Sequence, residues 1–387
     1  MDILEKTKAP WGIYIHIPFC LRKCAYCDFF SLPNASPELY ERYTNAVVAE
    51  IERRSRDLHG PRVSTIYFGG GTPSLLNGKQ IKNITQAVKK HFMVLNDAEI
   101  SLEANPATLD ASLLNALSDA GINRLSLGVQ SFCDDELKIL GRIHGRREVM
   151  DTIAILHKEG WNNFNVDLIY GIPGQTIERW KENLWSAVES GAMHISAYLL
   201  QPGYSTPMAR EIEKGGLQML DEDDESLMYY TAVDCLPEKG FEQYEISNFC
   251  RRGFACRHNL TYWQAGHYIG IGAGAVSFIG SSRYINQPRL EEYMDCLENG
   301  KQWPVEELER MSSLQLLSDA IITGLRMCPG INMEEISSRF GLDMEHEFAP
   351  ALKTGIDEKL LKLENGQLSL TKRGYFLSNR VLCQFIT

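Results

Sequence analysis

From Trp11 to Ile17 apolar residues alternate with others, the two-residue period of a strand with one buried face. Ser36-Pro37 then opens a helix that runs to about residue 54, with serine as the cap and proline in the first turn. The same beat recurs. Further strands are predicted over 65–68, 99–103, 124–129, 165–169 and 195–199, separated by helices over 79–91, 111–120, 147–159 and 176–190. Six strands alternating with helices imply a parallel sheet with right-handed crossovers. In such a barrel the chemistry collects on the loops after the C-terminal strand ends.

The rhythm changes after Pro202. An acidic helix over 221–235 precedes a stretch rich in glycine and aromatic residues over 241–284. Helices near 313–326, 333–340 and 345–357 follow. Asn365-Gly366 then joins Leu361-Lys362-Leu363 to Leu368-Ser369-Leu370, a strong hairpin signal. The expected class is therefore α/β: a barrel core over 1–205, a linking region over 206–300, and a mostly helical C-terminal domain over 301–387. The hairpin gives that last domain a winged-helix topology.

Hydrophobic residues make up 44% of the 387 and charged residues 23%, enough to bury a full core. The net charge is −11, from 39 Lys and Arg against 50 Asp and Glu. An acidic surface repels phosphate backbones, so no nucleic-acid partner is expected, and a DNA-binding role for the hairpin domain is disfavoured. No apolar run approaches the length of a bilayer span. Residues 1–10 are polar and lack the apolar core of a signal peptide, so a cytoplasmic location is expected. The cytosol keeps thiols reduced, and the ten cysteines are then better read as metal ligands or reactive groups than as disulfides.

Three of them share one loop directly after the first strand: Cys20, Cys24 and Cys27. Three thiolates can each hold one corner of an iron–sulfur cube and leave the fourth iron open. Zinc also takes thiolates, but a structural zinc wants a fourth ligand at matching spacing. The next cysteine in sequence is Cys133, and His16 lies on the incoming strand. Gly69-Gly70-Gly71-Thr72-Pro73 follows the second strand, where glycines let backbone approach a ligand closely. Glu103, Gln130 and Asp167 fall at or near successive strand ends, where such side chains suit hydroxyl or ammonium groups.

The cysteine loop, with its C-x3-C-x2-C spacing, resembles the signature of the radical S-adenosylmethionine (SAM) superfamily. The resemblance implies a partial (βα)6 barrel and a 4Fe–4S cluster on Cys20, Cys24 and Cys27. It also implies SAM on the open iron, cleaved after electron transfer to give a 5′-deoxyadenosyl radical. By the same resemblance Tyr14, Tyr26, Gly70, Gly71, Thr72, Glu103, Gln130, Arg142, Asp167 and Ala197 contact SAM.

Tyr14-Ile15-His16-Ile17-Pro18-Phe19-Cys20 and the GGGTP element are similar to the oxygen-independent coproporphyrinogen III oxidase family. Two features depart from the oxidase itself. Phe29 stands where the oxidase has a fourth cysteine, and only nineteen residues precede Cys20. Radical decarboxylation of coproporphyrinogen III therefore ranks as the alternative activity. His258-Asn259-Leu260-Thr261-Tyr262-Trp263 resembles the HNxxYW motif of the heme-chaperone branch of that family. That branch implies heme as a ligand, an acceptor hemoprotein, often of the respiratory chain, and transient contact with a membrane surface. His258 would then ligate heme iron, with Tyr262 and Trp263 against the macrocycle. Arg251, Arg252 and Arg257 would pair with propionates, and Cys256 offers an alternative thiolate. The bland reading of this motif is interdomain packing. Cys133, Cys235, Cys250, Cys296, Cys328 and Cys383 are expected to be small buried residues.

Overall fold

The computed structural model describes residues 9–300 and 305–387. The polar segment before residue 9 and the first residues of the expected C-terminal domain, 301–304, lie outside the described residues.

The predicted strands are present: β1 (Trp11–Ile17), β2 (Arg62–Gly70), β3 (Met93–Ala104), β4 (Arg124–Gln130), β5 (Phe164–Tyr170) and β6 (His194–Leu199). They lie side by side in that order, all parallel. Between them run α1 (Pro37–Asp57), α2 (Gly78–His91), α3 (Ala111–Ala120), α4 (Arg146–Lys158) and α5 (Ile177–Glu189). Local chemistry sets their ends. Ser36 Oγ accepts from the Leu39 amide at 3.3 Å to start α1. Asn77 and Gln80 form a reciprocal capping box on α2. Gly121, at φ 89°, ends α3 in a left-handed turn.

The segment after β6 also builds sheet. Following α6 (Glu222–Glu238), β7 (Glu242–Glu245) and β8 (Asn248–Cys250) pair antiparallel onto β6. After α7 (Arg257–Trp263), β9 (Tyr268–Ile271) joins β1 in parallel, and β10 (Val276–Ile279), β11 (Ser282–Asn286) and β12 (Val305–Arg310) extend that edge antiparallel. The result is one twelve-stranded sheet. The stretch over 241–284 thus supplies strands to both edges of the barrel. Its strands are short, three to five residues each, which hid their period in the sequence.

A buried carboxylate ties this edge to the barrel. Glu50 of α1 is fully enclosed. It accepts from the Gly272 amide (2.8 Å), Asn286 Nδ2 (2.7 Å), Tyr293 Oη (2.6 Å) and Arg54 Nε (3.4 Å). Arg54 in turn donates to Asn286 Oδ1 at 2.9 Å. One charge therefore satisfies donors from α1, the β9–β11 edge and the helix Leu290–Glu298.

The C-terminal region holds α8 (Ser313–Gly324), α9 (Met333–Phe340) and the hairpin β13 (Leu361–Glu364) and β14 (Gln367–Leu370). Asn365 and Gly366, at φ 52° and 77°, make the expected tight turn. The helix expected over 345–357 is two, Met344–Glu347 and Ala349–Asp357. Pro350 sits in the first turn of the second, where its missing N–H does no harm, so the chain breaks at Phe348. Of the scattered cysteines only Cys250 is buried; Cys383 is exposed and the others are intermediate, because they sit on half-covered helix and loop faces. Among the described residues no helix is long and apolar enough to cross a membrane.

Removing one partner from a buried charged network costs about 3–5 kcal/mol. Glu50→Ala is therefore expected to lower the urea midpoint sharply, and a midpoint equal to that of the parent would show that the network does not hold this edge.

Candidate functional site

Along each barrel strand the outward positions are apolar and the inward ones are not. Ile13, Ile15 and Ile17 of β1 face the helices, as do Leu125, Leu127 and Val129 of β4. The alternate positions of β3 to β6 face inward and line one cavity of about 460 Å³: Glu103, Arg124, Ser126, Gln130, Asn165, Asp167, His194 and Ser196. Parallel strands covered on both sides normally read as continuous apolar runs. This polar inner face marks a lumen kept open for a ligand.

The cysteine loop closes the mouth. Ala25 N donates to Leu140 O (3.0 Å), and Arg22 Nη2 reaches the carbonyls of Gly141 (2.7 Å) and Arg142 (2.8 Å). From β2 the Gly71 and Thr72 amides donate to Ile17 O (2.8 Å) and Phe19 O (2.7 Å). A Cβ at Gly71 would lie 2.5 Å from the Phe19 carbonyl oxygen, so only glycine permits this approach.

Cys20, Cys24 and Cys27 all face the cavity. Arg142 Nη1 donates to Cys24 Sγ at 3.2 Å and Thr72 Oγ1 to Cys20 Sγ at 3.7 Å. Burial, then the neighbouring Cys24 and Cys20, push the Cys27 thiol up. Among the described residues no three His, Cys, Asp or Glu side chains are gathered closely enough to hold a single metal ion. Soft sulfur donors, a buried guanidinium beside them and hydrogen bonds to sulfur fit an iron–sulfur cube held at three corners.

Tyr26, Gly70, Gly71, Thr72, Glu103, Gln130, Arg142 and Asp167 are brought together around the same cavity. Glu103 accepts from Tyr67 Oη (2.9 Å) and the Gly70 amide (3.2 Å). Burial, and then the nearby Asp167, raise its pKa to about 7. Asp167 accepts from Asn165 Nδ2 (2.7 Å) and Ser126 Oγ (3.1 Å), and burial raises its pKa too. Gln130 adopts φ 68°, a strained conformation for a non-glycine residue at the end of β4. Tyr14 and Ala197 do not line the cavity itself, though the Tyr14 ring stacks on Tyr67. Tyr14 Oη is bonded to His16 Nδ1 at 3.1 Å, and Ala197 packs in the apolar layer outside the lumen.

Helix α7 closes the opposite end. Glu99 of β3 accepts from the amides of Arg257 and His258 (3.1 Å each) and from Cys256 Sγ (3.6 Å). His258 is buried, with Nδ1 bonded to Thr65 Oγ1 (2.8 Å) and Nε2 to Tyr262 Oη (2.7 Å). It stacks on Tyr67 at 5.1 Å, and burial lowers its pKa to about 3. Both ring nitrogens are thus engaged inside the protein. Trp263 carries the Arg326 guanidinium 4.4 Å above its ring, facing the C-terminal domain. Arg257 pairs with Asp97, and Arg251 lies over Phe241. Sequence reasoning assigned no role to Arg124, which lines the cavity floor, and did not place Cys256 or Asn259 there. The polar alternation Arg124-x-Ser126 and Asn165-x-Asp167 was the available signal.

Comparison with known proteins bears on this arrangement. Residues 14–184 match the model of the radical SAM superfamily, and residues 311–377 that of the HemN C-terminal domain. The chain is 36% identical over 380 residues to a protein of Mycobacterium tuberculosis named heme chaperone HemW, covering 96% of this chain and 94% of that one. It is 33% identical to the Bacillus subtilis protein of the same name, covering 96% and 98%. Its fold matches the coproporphyrinogen III oxidase HemN of Escherichia coli with a TM-score of 0.84, over 98% of this chain and 90% of that one, at 23% identity. That likeness bears on fold alone.

A carboxyl held near 7 when folded and 4.5 when unfolded binds its proton more tightly in the folded chain. Its stabilising contribution is present below the unfolded value and lost as pH rises through about 7. Glu103→Gln should therefore gain melting temperature relative to the parent between about pH 5 and pH 8. Parallel pH profiles for the two proteins would refute this.

Proposed function

The chain belongs to the HemW heme chaperones of the HemN-like radical SAM family, and on that premise we propose that it binds heme and hands it to an acceptor hemoprotein. The observation that carries the reading is 36% and 33% identity, over nearly the whole chain, to proteins of that name. Phe29, at the position of the oxidase's fourth cysteine, supports it: the side chain is 66% exposed and ligates nothing. A respiratory-chain acceptor, a cytoplasmic location and transient contact with a membrane surface belong to the same proposal.

In this reading Cys20, Cys24 and Cys27 hold a 4Fe–4S cluster. Arg142 and Thr72 temper the charge on its sulfurs. Gly70, Gly71 and Glu103 receive the ammonium end of SAM, and Asp167, Gln130, Tyr26 and Arg142 line the rest of its bed. When bound, the cluster and SAM together supply one-electron chemistry. The chain's own residues orient SAM and keep the lumen walled from bulk water. Tyr14 and Ala197 act through their backbone or through neighbours.

The HNxxYW residues His258, Tyr262 and Trp263 act first as the floor of the barrel. With both nitrogens of His258 satisfied inside the fold, its loss leaves Thr65 and Tyr262 without a partner, at a cost of about 1–3 kcal/mol. Titrating anaerobically reconstituted protein with heme and following the Soret band tests both points. Saturation near one heme per chain is expected, with His258→Ala lowering the melting temperature while heme still binds. Heme binding lost from His258→Ala at unchanged stability would make this motif the heme seat. No saturable binding in the parent would sink the chaperone reading, and coproporphyrinogen decarboxylation would be assayed next.

A second expectation concerns the loop. Cys24→Ser should abolish the broad iron–sulfur absorbance after reconstitution while the far-ultraviolet dichroism stays unchanged. Full cluster occupancy in that variant would move the cluster elsewhere.

A further inference from the structure

Arg124 opens β4 at the end of the barrel away from the cysteine loop, and its side chain lines the cavity. It is only 2% exposed. A guanidinium keeps its charge at any working pH and carries five donors. Yet among the described residues the Arg124 side chain donates no hydrogen bond and forms no ion pair, and its Nε is enclosed without a partner.

The groups around it are committed elsewhere. The Glu99 carboxylate is taken by the amides of Arg257 and His258 and by the Cys256 thiol. Asn165 is held by Ser126, Asp167 and His194, and His194 by Asn165 and Tyr244. The Cys256 thiol, pushed up to about 12 chiefly by burial, stays neutral. Asn259 lines the same cavity, and among the described residues its side-chain amide makes no hydrogen bond. The Glu99 carboxylate lies near enough to support the Arg124 charge but makes no direct contact with it, so buried guanidinium donors are left unbonded, and a chain keeps such donors where a ligand completes them.

The cavity has room for that ligand. Arg124 and Gln130 bound β4, whose seven residues span about 20 Å at the usual rise per residue. The SAM bed proposed above lies at the Gln130 end.

We propose that the floor of the lumen is an anion site centred on Arg124, with Asn259 beside it, which takes the carboxylate of an organic ligand lying along the barrel. The planar fork of the guanidinium matches a carboxylate through two parallel hydrogen bonds. Asn259 offers an N–H to the same group from α7. The site goes beyond the heme reading and does not rest on it: a chain that bound no heme would still carry it.

The test uses the full chain, purified anaerobically, with sodium propionate as the probe against sodium chloride at equal ionic strength. A saturable rise in melting temperature of about 3–6 °C with propionate alone is expected. Arg124→Gln should not respond, and without propionate it should melt close to or above the parent temperature, because the buried, unbonded guanidinium donors are gone. Asn259→Ala should keep the fold and shift the propionate midpoint to higher concentration. A parent that does not respond, or an Arg124→Gln variant that responds like the parent, overturns the site. An Arg124→Gln variant that melts well below the parent also overturns it, since Arg124 would then be a structural residue.

Discussion

Everything at this site depends on six parallel strands whose outer faces are apolar and whose inner faces are not. The outer faces bury Ile13, Leu102, Leu127, Val166 and their neighbours beneath the helices, and that burial supplies the stability. The inner faces carry acids, amides, hydroxyls and arginines that do not pack to a solid core. A barrel filled by side chains would have no room for a ligand. This one holds a cavity because its inward residues were chosen for polarity and not for volume.

The two ends of the lumen are closed by different means. At the mouth, backbone hydrogen bonds pin the cysteine loop and the end of β1 to the end of β2 and to Leu140 in the segment after β4, and Gly71 is the residue that lets two backbones meet. At the floor a short helix is seated by one carboxylate, Glu99, and by the chain Thr65–His258–Tyr262. The helix that carries the family's distinctive motif is therefore part of the barrel wall. The buried charges between these ends cost free energy, and the twelve-stranded sheet with its Glu50 anchor provides the rigid frame that tolerates them.

Much of this was legible in the chain. The six barrel strands and their helices followed from period and caps, since β1 begins and ends where the alternation does. The cysteine loop and glycine run were legible because their spacing is itself the chemistry. Less legible were β7 to β12, too short to show a period. His258 was not legible either way, because a histidine beside aromatic residues looks the same in sequence whether it awaits a metal or closes a hydrogen-bond chain.

The sequence by itself determined the barrel, the three thiols and the membership of a family, because period, spacing and local caps are written within a few residues of one another. Only the tertiary structure decided which side chains share the lumen. It put Arg124 of β4 and Asn259 of α7 on one cavity and, among the described residues, left that guanidinium without a hydrogen bond. It also turned His258 inward to Thr65 and Tyr262. The physical reason is range: a hydrogen bond or an unpaired charge depends on residues brought together from far along the chain, and no local pattern records where those partners end.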